Sequence, residues 1–218
     1  MDLRKPLKPQ ILAAKVITQV ERGLADQLGL DDRQRSLGLV TCDLDDSLYV
    51  ALDEATKCAE VEVAYAHSFY AGSGIASGPL SGEVIGMLAG PSPSEVRAGL
   101  DACIAYATEK AWFYTADAAG ELAYFPHLIS STGSYLSAEA GIAVGEPLAY
   151  LIAPPLEASY ALDQALKAAE VEIRTYYRPP SETNFSGALL TGSQSACRAA
   201  CDAFSDAVLA VAADPTTY

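Results

Sequence analysis

Three groups of residues in this 218-residue chain are of types that do chemistry: an acidic run, a set of cysteines and a glycine-rich loop. The cysteines are Cys42, Cys58, Cys103, Cys197 and Cys201, an odd number with no Cys-x-x-Cys pair. Cys197 and Cys201 stand four apart in ACRAACDAF, on one face of a predicted helix. A zinc site needs thiolates and imidazoles at ligand spacing, and the two histidines, His67 and His127, are far apart in sequence. Buried reduced thiols are the expectation. The loop AGSGIASGP (71–79) carries a Gly-x-Gly, but a proline follows and no helix opens there. A phosphate cradle needs a helix N-terminus, so this segment reads as a mobile loop. No GxSxG elbow, P-loop or HExxH sequence occurs. Neither a cofactor nor a metal is expected.

The acidic run lies in LVTCDLDDSLY (39–49). An apolar strand ending in Asp-x-Asp-x-Ser resembles the first motif of haloacid-dehalogenase-type phosphatases. That resemblance would make Asp43 a nucleophile and Asp45 a general acid, with Mg2+ between them. It also requires a downstream lysine and an acidic pair at a strand end. The second copy offers only Lys167, Asp202 and Asp206, all on predicted helices. The plainer reading of Asp43, Asp45 and Asp46 is a strand-to-helix turn whose short side chains satisfy backbone N–H groups. No catalytic centre is expected.

Charge narrows the partners. Lys+Arg 14 against Asp+Glu 28 leaves a formal charge of −14, unsuited to nucleic acid or to an anionic membrane surface. No apolar run approaches the roughly 20 residues that cross a bilayer. The start, MDLRKPLKPQ, lacks the apolar stretch of a signal peptide, so a cytoplasmic protein is expected. Half the residues are hydrophobic, as a folded chain requires.

The elements that position these residues come in two copies. ALDEATKCAEVEV (51–63) and ALDQALKAAEVEI (161–173) agree at nine of thirteen positions, at an offset of 110. Further on, RAGLDA (97–102) matches RAACDA (198–203) at an offset of 101, so the first copy holds about nine more residues between its blocks. Aligning SGEV with SGAL sets Ala188 where Glu83 stands. Each copy reads as strand, Ala-rich helix beginning near Asp53 or Asp163, strand, loop, strand and closing helix, with Ser94 a cap for the first closing helix. The class is α+β, a tandem duplication over 1–113 and 114–218, each half an antiparallel-rich sheet with helices packed on it.

The repeated helix, D-x-x-x-K-x-A-E-V-E, and the later RAGLDA and RAACDA helices resemble the bacterial microcompartment shell domain. Longer blocks, such as SLGLVTCDLDDSLYVALDEATK and PPSETNFSGALLTGSQSACRAACDAF, are similar to the tandem shell proteins of ethanolamine-utilising compartments. The resemblance implies a structural, non-enzymatic tile: a homotrimer mimicking a hexamer, placed with other shell proteins in the shell of a cytoplasmic compartment. It implies that Lys57 and Lys167 are tile-edge lysines. It implies gated pores, with gating loops at His67–Leu80 and Tyr176–Gly187, of which Ser181, Glu182, Thr183 and Asn184 are the moving part. And it implies that Asp45, Asp46, Glu83 and Phe113 line a small pore and bind ethanolamine. A tile of another compartment would share the fold.

Overall fold

The computed structural model describes residues 4–69, 80 and 82–216. The first half runs β1 (Pro6–Leu7), β2 (Ile11–Ile17), α1 (Arg22–Gln27), β3 (Ser36–Cys42), α2 (Asp45–Cys58), β4 (Glu62–Ser68), β5 (Val84–Gly90) and α3 (Pro93–Glu109). The second half runs β6 (Phe113–Thr115), β7 (Ala123–Ile129), α4 (Ser134–Ala140), β8 (Leu148–Ala153), α5 (Pro155–Ala168), β9 (Val171–Tyr177), β10 (Ser186–Gly192) and α6 (Gln194–Ala213). The repeat is visible as architecture. One sheet has the order β2-β3-β5-β4, and the other contains β7-β8-β10-β9, all antiparallel.

The chain forms two compact units. One comprises Lys8–Ala111 with Gly133–Leu136, and the other takes Trp112–Thr132, Ser137–Tyr218 and the N-terminal segment through Leu7. The N-terminal segment joins the later unit for a hydrogen-bonding reason. Pro6 and Leu7 pair with Tyr114 and Phe113, so β1 extends the sheet of the later unit through β6. Each unit has its own core. Leu48, Leu52, Val84, Leu88, Val96 and Leu100 centre the first; Leu151, Leu162, Leu190, Phe204 and Val208 centre the second.

The repeated Ala-rich helix begins at Asp45 in one copy and Pro155 in the other, about eight residues ahead of the expected starts near Asp53 and Asp163. Two signals decide this. Asp45 and Asp46 complement the helix dipole in the first turn of α2, and Pro155 occupies the first turn of α5, where its missing N–H costs nothing. Leu48, Ala51, Leu52 and Ala55 then present one buried stripe. The cap of α3 is Ser92, which accepts from the Glu95 amide; Ser94 is instead in hydroxyl contact with Ser92. Ser193 caps α6 in the same way.

Candidate functional site

The acidic residues gather where β3 passes into α2 and where β4 and β5 meet. Asp43 is a turn residue, as its spacing suggests: Oδ1 accepts from the Gln10 amide at 2.7 Å. Asp45 opens α2, and its Oδ1 accepts from the Asp46 amide at 2.9 Å. Asp45 Oδ2 accepts from the Ser68 hydroxyl at 2.9 Å, and that hydroxyl lies 2.5 Å from the Tyr49 hydroxyl. Asp46 is buried in the same turn.

Glu83 reaches this place through its backbone. Its amide donates to the Cys42 carbonyl at 2.8 Å, and its carbonyl accepts from the Phe69 amide at 2.9 Å. Gly82 makes the approach possible. Its φ is +66°, and a Cβ there would lie 2.2 Å from the Cys42 carbonyl oxygen. Burial pushes the Glu83 carboxyl above its ordinary range, and the charges of Asp45 and Asp43 push it further the same way. The structure thus brings Asp43, Asp45 and Glu83 within electrostatic reach of one another.

The polar site belongs to one copy. Hydrogen-bond register sets the repeat alignment more firmly than residue matching. Val84 pairs with Cys42 and Gly90 with Ser36; Ser186 pairs with Ala153 and Thr191 with Leu148. Strand for strand, β5 and β10 therefore differ by 102, which makes Phe185 the counterpart of Glu83, not Ala188 as aligned by the Ser-Gly pairs. The backbone agrees, since Gly82 and Asn184 both have φ 66°. On the offset of 110 that relates α2 to α5 and β4 to β9, Asp45, Tyr49 and Ser68 correspond to Pro155, Ser159 and Arg178. Every member of the polar group is replaced in the second copy, which still folds.

Phe113 falls elsewhere. It is a β6 residue of the later unit, 2% exposed, its ring 4.8 Å from that of Phe125 and 6.3 Å from that of Phe185. Within that unit its ring packs in the core; neighbouring Trp112 is only partly buried. Of the proposed gating loops, residues 70–79 lie outside the described residues. Ser181–Asn184 forms a tight turn: the Ser181 amide donates to the Phe185 carbonyl and the Asn184 amide to the Ser181 carbonyl.

Lys57 and Lys167 sit in the last turns of α2 and α5, and their ion pairs differ. Lys167 pairs with Asp163 at 2.6 Å, whereas Lys57 pairs with Glu54 at 2.5 Å. The reason is Asp53, the counterpart of Asp163. It is fully buried, and its two oxygens accept from the Gly133 amide at 2.6 Å and the Leu136 amide at 2.8 Å. Thr56 takes the Ser134 amide at 3.0 Å. Together they occupy the orphan donors at the start of α4. Sequence gave no sign of this, because Asp53 and Asp163 lie in nearly identical surroundings. Tyr49 was also missed, although its spacing of four from Asp45 shows one helix face once the true helix start is known.

Among the described residues, no three His, Cys, Asp or Glu side chains are placed to hold a metal ion. Four cysteines are buried and Cys58 is exposed; burial pushes the Cys42 thiol up to about 12, beyond use as a nucleophile near neutral pH.

The duplicated sheet-and-helix fold is that of the tandem-domain shell proteins of bacterial microcompartments. The BMC domain family matches residues 36–116. The chain belongs to the EutL family of these shell proteins. It is 57% identical over 212 residues to the bacterial microcompartment shell protein EutL of Clostridium perfringens (strain 13 / Type A), covering 97% of this chain and 98% of that one. The crystal structure of the ethanolamine utilization protein EutL from Leptotrichia buccalis superimposes with a TM-score of 0.96 at 56% identity, over 99% of each chain. The trimeric shell protein PduB, 18% identical with a TM-score of 0.74 over 94% of this chain and 89% of that one, shares the fold. The role is structural, and the phosphatase alternative finds no support.

Proposed function

We propose that this chain forms a homotrimeric tile, six shell domains to the disc, and that its first copy binds small amines, ethanolamine first among them. One observation carries the amine reading. Every influence on the Glu83 carboxyl opposes its ionisation: burial, then Asp45, then Asp43, with no basic side chain among them. Such a carboxylate calls for a cation. An ammonium supplies three donors and a positive charge, and the hydroxyl two carbons away is one donor more. The names of the relatives make ethanolamine the natural candidate. Asp45 and Glu83 hold the ammonium in this reading, Asp46 adds charge at the helix start, and Ser181–Asn184 is the moving part of a gate. Binding is weak, since a pore must release what it takes up.

Titration calorimetry with ethanolamine tests the amine site on the wild type and on Glu83→Ala with Asp45→Ala. Loss of binding in the double variant is expected; equal binding by both proteins removes the site. Sedimentation equilibrium tests the assembly, with a species of three 22.8 kDa chains expected and a monomer overturning it.

A further inference from the structure

We propose that Tyr49 and Ser68 are positioning residues for the amine site, holding the Asp45 carboxylate in one orientation through a serial chain of hydroxyls. The inference rests on the amine reading above and adds to it two residues that touch no ligand.

Chemistry fixes the direction of the chain. An ionised carboxylate has no proton to give, so Ser68 must donate to Asp45 Oδ2 across their 2.9 Å contact. A serine hydroxyl has one proton. With that proton committed to Asp45, the 2.5 Å contact with Tyr49 requires the phenol to donate and Ser68 Oγ to accept. Tyr49 keeps its proton for this role, because burial raises its pKa and the charges of Asp45 and Asp46 raise it further. A lone serine hydroxyl rotates freely. One that receives the Tyr49 proton is aimed, and its own proton points where the carboxylate is.

Three elements are needed for this. Tyr49 and Asp45 are on α2, one turn apart. Ser68 is the last residue of β4, buried, and paired in register with Val84, the residue after Glu83. The ring of Tyr49 is itself backed by Tyr135, with centroids 6.4 Å apart. With Oδ2 held by Ser68 and Oδ1 by the Asp46 amide, the plane of the Asp45 carboxylate is set. Folding does not demand the arrangement. The second copy builds the same helix and strand with Pro155, Ser159 and Arg178 at these positions and has no such chain.

The test is titration calorimetry with ethanolamine on the full chain: wild type, Tyr49→Phe, Ser68→Ala and the two combined. Each single variant is expected to weaken binding by about three- to tenfold, the scale of one hydrogen bond. Because Tyr49 acts only through Ser68, the combined variant should bind no more weakly than Ser68→Ala alone. A structural contribution from each residue would multiply instead. Affinities unchanged in both single variants, or a combined loss equal to their product, would overturn the proposal. Ser68→Ala gives a second reading independent of the aromatic site, should Tyr49→Phe fail to fold. A wild type that binds no ethanolamine removes the amine reading and this inference together. A wild type that binds, loses binding in Asp45→Ala and keeps it in both hydroxyl variants removes the positioning role alone.

Discussion

Asp53 and Asp163 are the same residue at the same place in a repeated helix, yet their environments separate them. Asp53 is fully buried and satisfies the Gly133 and Leu136 amides, while Asp163 shares an exposed ion pair with Lys167. Truncating Asp53 to Ala leaves two buried donors unsatisfied and should cost about 2–4 kcal/mol in chemical denaturation. Asp163→Ala removes a surface pair and should cost about 0.5 kcal/mol or less. Similar losses for both would show that the capping contacts contribute nothing. Glu83 gives a pH signature. Its folded-state pKa is raised, so its ionised form works against folding, and that penalty is relieved as pH falls through the raised value. Glu83→Gln should therefore stabilise the ligand-free protein near neutral pH, with the advantage shrinking on acidification. A melting-temperature difference that stays constant from pH 7 to pH 4.5 would contradict this. Ethanolamine binding should weaken over the same acid range, because the proton competes with the ammonium for the carboxylate.

Elements enter through the turn that leads into the last strand of each copy. Gly82 and Asn184 share a left-handed conformation there, reached with two different residues. Asn tolerates the region and Gly is at home in it, but the first copy permits no side chain at all, since its Cβ would meet the Cys42 carbonyl. Gly82→Ala should destabilise by about 1–3 kcal/mol and disturb Glu83, whose amide bonds that same carbonyl. Asn184→Gly should change stability by less than about 1 kcal/mol. Comparison of the two by thermal denaturation, with ethanolamine binding as a second reading, checks the contrast. Equal tolerance of both substitutions would mean that the strand entry can shift to make room.

For the whole molecule, two units with matching sheets suit the proposed tile, in which a ring of six domains would be closed by three chains. Lys57 and Lys167, already held at the ends of their helices by Glu54 and Asp163, are the residues proposed to meet the next tile. Replacing both with Ala should leave the trimer intact in sedimentation and abolish extended sheets in electron micrographs. Sheets unchanged in the double variant would move the tile edge elsewhere.

Much of this protein was legible in the chain itself. The duplication, the α+β class, the strand–helix–strand order of each copy and the shell-domain resemblance rest on local patterns and on blocks of identity, which a linear reading detects directly. The acid-rich passage from β3 into α2 was legible for the same reason, although Asp45 and Asp46 belong to the helix itself. What only the tertiary structure decided lies in contacts between residues distant in sequence. Asp53 meets Gly133 across 80 positions, and nothing near either residue announces it. Phe185, not Ala188, is the repeat counterpart of Glu83 because strand pairing, not residue similarity, sets the register of a loop-shifted repeat. The Phe113 ring packs against Phe125 and Phe185, while Pro6–Leu7 becomes an added strand of the later unit because the other edge of β6 accepts it. Side-chain types specify which partners are acceptable, but burial and backbone hydrogen bonding between strands select among them once the chain has closed.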